Sequence, residues 1–327
     1  MSGKISGEAA FIGGYLAPLA TLPGALGFED DCAFLEPAPG QALVFKTDPI
    51  RAGVHFFADD GAADIAFKAL AVNVSDLAAK AARPVAYLMS VSFPEAPAEA
   101  WATDFARGLG EAQEAFGLSL IGGDTDRADG PLSISITVVG EVPAGRMIQR
   151  GTAMPGDRLV VSGTLGAAAV GLQVRAGSAA SDDQALQEAG ARYLRPRPRL
   201  GLRAALRRYA RAAMDLSDGL IKDAGRMAAA SGCAVALDWP SVPVDPAAGL
   251  MAAGDDQALR KLATAHGDDY EILAAVPPDA VAPFIALAAA GGVTCTEIGQ
   301  CRAGSGVTLH SADGADVTPS VAGYDHF

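Results

Sequence analysis

The order of apolar segments predicts a protein of two α+β domains. Three observations carry this. Strand-like and helix-like segments alternate, but runs of consecutive strands interrupt them, unlike a doubly wound parallel sheet. The 327 residues are 50% hydrophobic, which suits a large buried core and a length of two domains. Pro143-Ala144-Gly145 and Met154-Pro155-Gly156-Asp157 bracket a turn-rich junction. Residues 1–145 and 146–327 are therefore read as the two domains.

Residues 1–29 read as irregular or loosely helical, with turns at Pro23-Gly24 and Gly27. Asp30-Asp31 then precede a short apolar strand ending at Leu35, and Ala42–Thr47 is the next strand, ending at Asp48. Asp64–Ala82 predicts a long helix with an almost wholly apolar surface, Asp64 serving as N-cap or first-turn acid and Arg83-Pro84 ending it. Pro84–Pro94 reads as a buried strand and Ala98–Gly117 as a helix. Leu118–Ile121 is a strand leading into Gly122-Gly123-Asp124, and Leu132–Val142 is a long strand. Beyond the junction come a strand over Arg158–Ser162, an Ala-rich helix opened by Thr164-Leu165-Gly166, and a surface loop over 176–185. The basic run Arg195–Arg199 is extended and leads into a helix over 200–209. Next come the strand Ala212–Leu216, the helix Gly219–Ala230, the strand Cys233–Asp238 and a helix over Ala258–Ala265. Tyr270–Val276 is a strand, Asp279–Ala290 a helix and Val293–Gly299 a strand.

Composition excludes several functions. Mean hydropathy is +0.23, but no run of the length a bilayer demands is free of charges or turn residues, so no transmembrane helix is expected. MSGKISGEAAFIGG lacks the basic start and long apolar run of a signal peptide, and the four scattered cysteines form no CxxC; a cytoplasmic location follows as the expectation. A net charge of −13 argues against a nucleic-acid partner. It also means that anionic substrates are repelled unless cations mediate.

Five acidic stretches stand out: Asp30-Asp31, Thr47-Asp48, Asn73-Val74-Ser75-Asp76, Gly122-Gly123-Asp124-Thr125 and Asp215-Leu216-Ser217-Asp218-Gly219. Each also has an ordinary reading. Adjacent acids before a strand are common in turns, and Asp76 can mark a helix end. Ser217 or Asp218 can simply cap the helix that follows. An acid inside so apolar a helix as Asp76 must neutralise, pair or bind a metal. The glycines before Asp124 permit close backbone approach to a ligand. The amides and hydroxyl at Ser217-Asp218-Gly219 suit a phosphate. Taken together, the aspartates point to one site for Mg²⁺ and phosphates. No GxxxxGK[ST] loop is present, which excludes a P-loop enzyme, and Gly163-Thr164-Leu165-Gly166 fails the dinucleotide GxGxxG pattern. His55 lies among Val54, Phe56 and Phe57, where packing is the ordinary role. The Arg195–Arg211 cluster suits a solvated face or a phosphate patch.

The segments GFEDDCAFL, KTDPIRAGVHF, DIAFKALAVNVSDLAAKAARP, GGDTDR, GEVPAGRMIQRGTAMPGD, MDLSDGL, GDDYEI and GYDHF, in this order, resemble the thiamine-monophosphate kinase family. Its superfamily includes aminoimidazole ribonucleotide synthetase and selenophosphate synthetase. The resemblance implies Mg²⁺-dependent phosphoryl transfer from ATP to thiamine monophosphate. It implies Mg²⁺ ligands at Asp30, Asp48, Asp76, Asp124, Asp215 and Asp218, and ATP contacts at Thr47, Gly123, Asp124, Arg150 and Ser217. It also implies substrate contacts at His55, Asp268 and Tyr324, an N-terminal α/β domain with a mixed sheet that pairs into a homodimer, a C-terminal α+β domain, and a nucleotide site flanked by both. Three positions depart from the family pattern. Lys46 replaces a small hydroxyl residue, either contacting an ATP phosphate or pointing to solvent. Asp268 replaces the usual Glu. Glu29 replaces a Gly in the acidic turn, where a positive φ would be costly. Two competing readings are a sister enzyme that activates another acceptor with ATP, and a non-enzymatic metal-binding protein. His55 and the terminal Tyr324–Phe327 segment favour the thiamine acceptor.

Overall fold

The structure, a computed structural model, describes residues 3–178 and 182–324. It divides into two compact units, Met1–Leu77 with Ala82–Gly145, and Ala78–Ala81 with Arg146–Phe327. Both are mixed α/β.

The first unit opens with the short helix α1 (Glu8–Phe11) and a run of irregular turns to Phe28. Its sheet is built from β1 (Gln41–Arg51), β2 (Arg83–Phe93), β3 (Ser119–Arg127) and β4 (Ser133–Pro143) in the order β1-β4-β2-β3. Only β2 and β3 run parallel, joined through a helix; β4 pairs antiparallel with both β1 and β2. The helices are α2 (Ala62–Ala79) and α3 (Glu99–Phe116). α2 is buried along almost its whole length, including Lys68, Asn73 and Ser75, because apolar residues occupy every side of it. Lys68 is tolerated because its ammonium donates to the His55 carbonyl at 2.9 Å. α3 closes on Gly117, whose φ of 72° forms a left-handed C-cap. One face of the sheet carries a cluster of Ala25, Ala86, Ile121 and Val139, overlaid by Leu22, Phe28, Ala33 and Leu35.

The second unit contains β5 (Arg158–Ser162), α4 (Ala167–Arg175), α5 (Gln184–Leu194), α6 (Arg203–Tyr209), β6 (Ala212–Leu216), α7 (Leu220–Ser231) and β7 (Ala234–Asp238). It continues with α8 (Pro246–Ala252), α9 (Asp256–Thr264), β8 (Glu271–Val276), α10 (Val281–Ala290), β9 (Cys295–Arg302) and β10 (Gly306–His310). The six strands lie in the order β10-β7-β9-β5-β8-β6, with only β10 and β7 parallel. β6 and β8 are buried at every residue, although β8 lies inside the sheet and β6 at its end; both faces of each are covered.

Four expectations need correction. Residues 32–35 are extended but form no strand; Phe34 makes a single backbone bond to Gly24, while Ala33 and Leu35 fold onto the cluster below. The strand expected over Leu118–Ile121 does not end there but runs on through Gly122-Gly123-Asp124 to Arg127. Gln184, placed in a loop over 176–185, opens α5 instead, with Asp183 as N-cap; α8 and β10 also lacked a sequence signal strong enough to register. Glu29 has φ −93°, and the positive φ values fall on Leu26, Gly27 and Phe28, so the Gly-to-Glu departure costs no strain.

Gly108 in α3 sits where a Cβ would lie 2.2 Å from the Ala63 carbonyl oxygen of α2. Ala improves helix propensity by about 1 kcal/mol, but this overlap is with backbone and cannot be relieved by a rotamer. Gly108→Ala is expected to lower stability by about 1–3 kcal/mol in denaturant unfolding; an unchanged or higher midpoint would remove the close α2–α3 contact from the account.

Candidate active site

In the first unit, strand alternation sets Val44, Lys46, Asp48 and Ile50 on one face of β1, and Val44 and Ile50 are buried there. Lys46 Nζ lies 2.9 Å from an Asp48 carboxylate oxygen and 3.0 Å from one of Asp76 on α2. Asn73, one turn before Asp76, clasps the Asp48 backbone. Its Oδ1 accepts the Asp48 N–H at 2.8 Å, and its Nδ2 donates to the Asp48 carbonyl at 3.3 Å. Burial works to lower the Lys46 pKa, but the Asp76 and Asp48 carboxylates outweigh it and hold the ammonium above its ordinary value. Burial raises the Asp48 carboxyl, against the pull of Lys46. Thr47 faces the other way, accepting a hydrogen bond from the Thr137 hydroxyl at 3.0 Å across the β1–β4 register.

Of the remaining first-unit residues, His55 stands close enough to Asp48 for its charge to lower that carboxyl, against the effect of burial. Asp124 is exposed on β3, opposite Ser90 of β2, with β4 and β2 between its strand and β1. Gly123 has φ 153°, and a Cβ there would lie 1.8 Å from the Met89 carbonyl oxygen; the approach that demands glycine is that of strand β2. Asp30 is exposed and accepts the Cys32 N–H at 3.3 Å, and Asp31 beside it is exposed too. His55 is half-buried in a tight turn. Its Nδ1 accepts the Arg51 N–H at 3.1 Å, which places the proton of the neutral ring on Nε2.

In the second unit, four expected residues converge on the turn between β6 and α7. The Ser217 carbonyl accepts the Asp268 N–H at 2.9 Å, and the Asp218 carbonyl accepts the Tyr324 N–H at 3.1 Å. Lys222 Nζ donates to the Tyr324 carbonyl. Asp268 has φ 70° and Tyr270 φ 50°, two non-glycine residues in the left-handed region within three positions, and the Tyr270 hydroxyl donates to Asp268 at 3.1 Å. Gly267 is required beside them, since a Cβ would meet the Ser217 carbonyl oxygen at 2.1 Å. Tyr324 is half-exposed, and Asp215 is buried at the fourth position of β6. Arg150 is exposed, its carbonyl accepting the Ser231 hydroxyl at 3.3 Å. Asp325, His326 and Phe327 lie outside the described residues.

Asp223, in the first turn of α7, escaped the sequence reading. It is fully buried, and one of its oxygens accepts both the Ser217 N–H at 3.1 Å and the Asp218 N–H at 2.9 Å. These amides are therefore occupied by protein and do not form a free phosphate cradle. Neither Ser217 nor Asp218 caps α7; Gly219 occupies the N-cap with no side-chain bond. In sequence Asp223 looks like any acid in the first turn of a helix, and its role shows only once the turn is folded. Burial raises the Asp223 carboxyl, against the Asp218 N–H and Arg226. Asp218 itself faces Arg226 at 2.5 Å and Lys222 at 3.4 Å. Asp48 and Asp218 thus each have a basic side chain within ion-pairing distance.

A cleft in the second unit is lined by Thr164, Arg192, Arg197, Arg199, Asp268 and Asp269. Here Arg199 forms a two-point ion pair with buried Glu271, so this member of the basic cluster serves an internal pair, whereas Arg211, elsewhere in the unit, stays exposed while pairing with buried Asp157 at 3.0 Å. Asp269 accepts the Gly166 N–H at 2.8 Å and the Ala168 N–H at 3.1 Å at the start of α4, yet burial pushes its carboxyl up to about 7. Among the described residues, no group of three or more His, Cys, Asp or Glu side chains is arranged to hold a metal. The donors are nevertheless of the right kind, since Mg²⁺ takes one or two carboxylates and completes its shell with water and phosphate oxygens. The Lys46 ammonium already sits as a cation between two of them.

AIR synthase related protein domains match at residues 29–142 (N-terminal domain) and 154–311 (C-terminal domain). Thiamine-monophosphate kinase of Caulobacter vibrioides is 44% identical over 306 residues, 93% of this chain and 86% of that protein. The crystal structure of thiamine-monophosphate kinase from Stenotrophomonas maltophilia superposes with a TM-score of 0.80 at 38% identity, covering 86% of this chain and 89% of that one. AaThiL complexed with AMPPCP and TMP superposes with a TM-score of 0.79 at 30% identity, covering 91% of each chain.

An acid whose pKa is raised by folding holds its proton more tightly in the native state. Its contribution to stability is complete below the unfolded value, about 4, and is lost as the pH rises through the folded value. Wild-type stability relative to Asp269→Asn is therefore expected to fall between about pH 4 and pH 7, by on the order of 2–4 kcal/mol. Denaturant midpoints of both proteins across this range measure it, and a difference independent of pH would show that Asp269 titrates normally.

Proposed function

We propose that this chain, which belongs to the thiamine-monophosphate kinase family, transfers the γ-phosphoryl group of ATP to thiamine monophosphate, releasing thiamine diphosphate and ADP. The observation that carries this reading is the 44% identity over 93% of the chain with a kinase of that name. The convergence of Ser217, Asp218, Asp268 and Tyr324 on one turn supports it locally.

The acceptor is a phosphate monoester, largely ionised near neutral pH, so in-line attack needs no strong general base. The task is to align two anions and neutralise their repulsion. Mg²⁺, held in this proposal by Asp30, Asp48, Asp76, Asp124, Asp215 and Asp218, supplies that neutralisation and a template for the phosphate oxygens. Lys46, Thr47, Gly123, Asp124, Arg150 and Ser217 contact ATP. His55 offers its Nε2–H, and Asp268 and the half-exposed Tyr324 ring receive the thiamine group. The backbone bonds from Asp268 and Tyr324 to Ser217 and Asp218 tie acceptor contacts to nucleotide contacts, so the two sets move as one unit. Asp223, by occupying the amides of Ser217 and Asp218, fixes the turn from behind. The acidic charge of −13 and the biosynthetic reaction fit a cytoplasmic enzyme without nucleic-acid or membrane partners.

Pairing of two copies through the N-terminal sheet belongs to the same proposal. Its support is the face of that sheet opposite Lys46 and Asp48, where Phe45 is 63% and Leu88 39% exposed.

Two outcomes are expected. Purified Asp215→Asn, assayed for ADP release with thiamine monophosphate and Mg²⁺, is expected to lose roughly two to four orders of magnitude in kcat while keeping its unfolding midpoint; wild-type turnover would remove Asp215 from the site, and absence of ADP release by the wild type with this acceptor would sink the reaction. Phe45→Asp is expected to convert a dimer into a monomer in sedimentation velocity, and an unchanged sedimentation coefficient would place any interface elsewhere.

A further inference from the structure

We propose that the Lys46 ammonium is a tethered cation filling the place between Asp48 and Asp76, so that a divalent ion reaches this carboxylate pair only by displacing it. The purpose of such a device rests on the kinase reading above; the competition itself does not.

Lys46 and Asp48 project from the same face of β1, and Asp76 meets them from α2. The spacing is fixed from outside the trio. Asn73 clasps both backbone groups of Asp48 and anchors its own Nδ2 on the Ala69 carbonyl at 3.0 Å, three residues before Asp76 on the same helix. Strand and helix are thereby locked in register, and the two carboxylates stand on either side of one point. The ammonium occupies that point at 2.9 and 3.0 Å. Two of its three N–H donors are directed to carboxylates, and the third is left for an acceptor such as a phosphate oxygen.

The charges decide the consequence. Two carboxylates carry −2 and the ammonium returns +1, so the trio retains −1. A divalent ion coming within contact of either carboxylate meets the ammonium a few ångströms away in a half-buried setting, where repulsion is weakly screened. A cation belonging to the chain cannot be diluted or chelated away. The pair is therefore neutralised in part at any metal concentration, at the cost of weaker metal affinity. Lys46 is a positioning residue here, holding Asp48 and Asp76 in place and presenting a charge.

The test uses the whole chain without nucleotide or acceptor and Mn²⁺ as a probe visible by electron paramagnetic resonance. Lys46→Gln, which is neutral, is expected to bind Mn²⁺ at least about ten-fold more tightly than wild type and to gain several degrees of melting temperature from it that wild type does not gain. Lys46→Arg, which keeps the charge, is expected to stay as weak as wild type. Superimposable Mn²⁺ isotherms for wild type and Lys46→Gln would overturn the proposal. Should Lys46→Gln fail to fold without metal, recovery on refolding with Mn²⁺ supports it, and failure at saturating Mn²⁺ overturns it. Since no acceptor is present, a failed kinase assay leaves this comparison intact.

Discussion

The arrangement of the first unit depends on one constraint: α2 is buried on nearly every side, so each polar group it carries must be answered within the protein. Lys68 is answered by the His55 carbonyl, Asn73 by the Asp48 backbone and the Ala69 carbonyl, and Asp76 by Lys46. Among the described residues, the Ser75 hydroxyl alone is buried without a hydrogen bond. The polar residues of this helix therefore do more than break its apolar pattern. They select which strand residues face it, and so fix the register of β1 and the turn that carries His55.

The second unit solves a similar problem at a turn. The chain leaves β6 through Ser217-Asp218-Gly219, and the backbone amides there have lost the sheet before gaining the helix. Asp223 reaches back from the first turn of α7 to take two of them, and Asp268 and Tyr324 donate to the carbonyls on the other side. Burial of Asp223 costs little only because these donors and Arg226 surround it. The left-handed conformations of Asp268 and Tyr270 are the price of bringing that second segment close; Gly267 supplies the closest approach, where no side chain fits.

Elements with a long, single period were legible in the sequence: α2 and α3, both fully buried strands of the second sheet, and α7 fall within a few residues of where the pattern puts them. The misreadings have local causes. Cys32–Leu35 has the composition of a strand, but nothing pairs with it, because composition reports burial and not hydrogen bonding. The strand signal stops at Ile121 because glycine has low strand propensity, yet Gly122-Gly123 mark a crowded position in a continuous strand. Family resemblance singled out Ser217, Asp218, Asp268 and Tyr324 one by one, and the structure adds that they are bonded to one another. Neither motif nor spacing pointed to Asp223, Asp269 or Glu271, since their task is to satisfy other groups, and such a role is defined only by neighbours distant in the chain.

The acidic composition takes on a different meaning once these contacts are known. A chain of net charge −13 that handles phosphates was expected to depend on external cations. At two of the aspartate stretches the chain supplies its own: Lys46 for Asp48 and Asp76, and Lys222 with Arg226 for Asp218. An internal cation of this kind keeps like charges from forcing the site apart before any ligand arrives. It does so without closing the site to a phosphate, because the ammonium of Lys46 uses only two of its three donors. Partial neutralisation also explains why such a density of aspartates is compatible with a stable fold. Asp30, Asp48, Asp76 and Asp218 are each held in position by a charge or an amide of the protein itself.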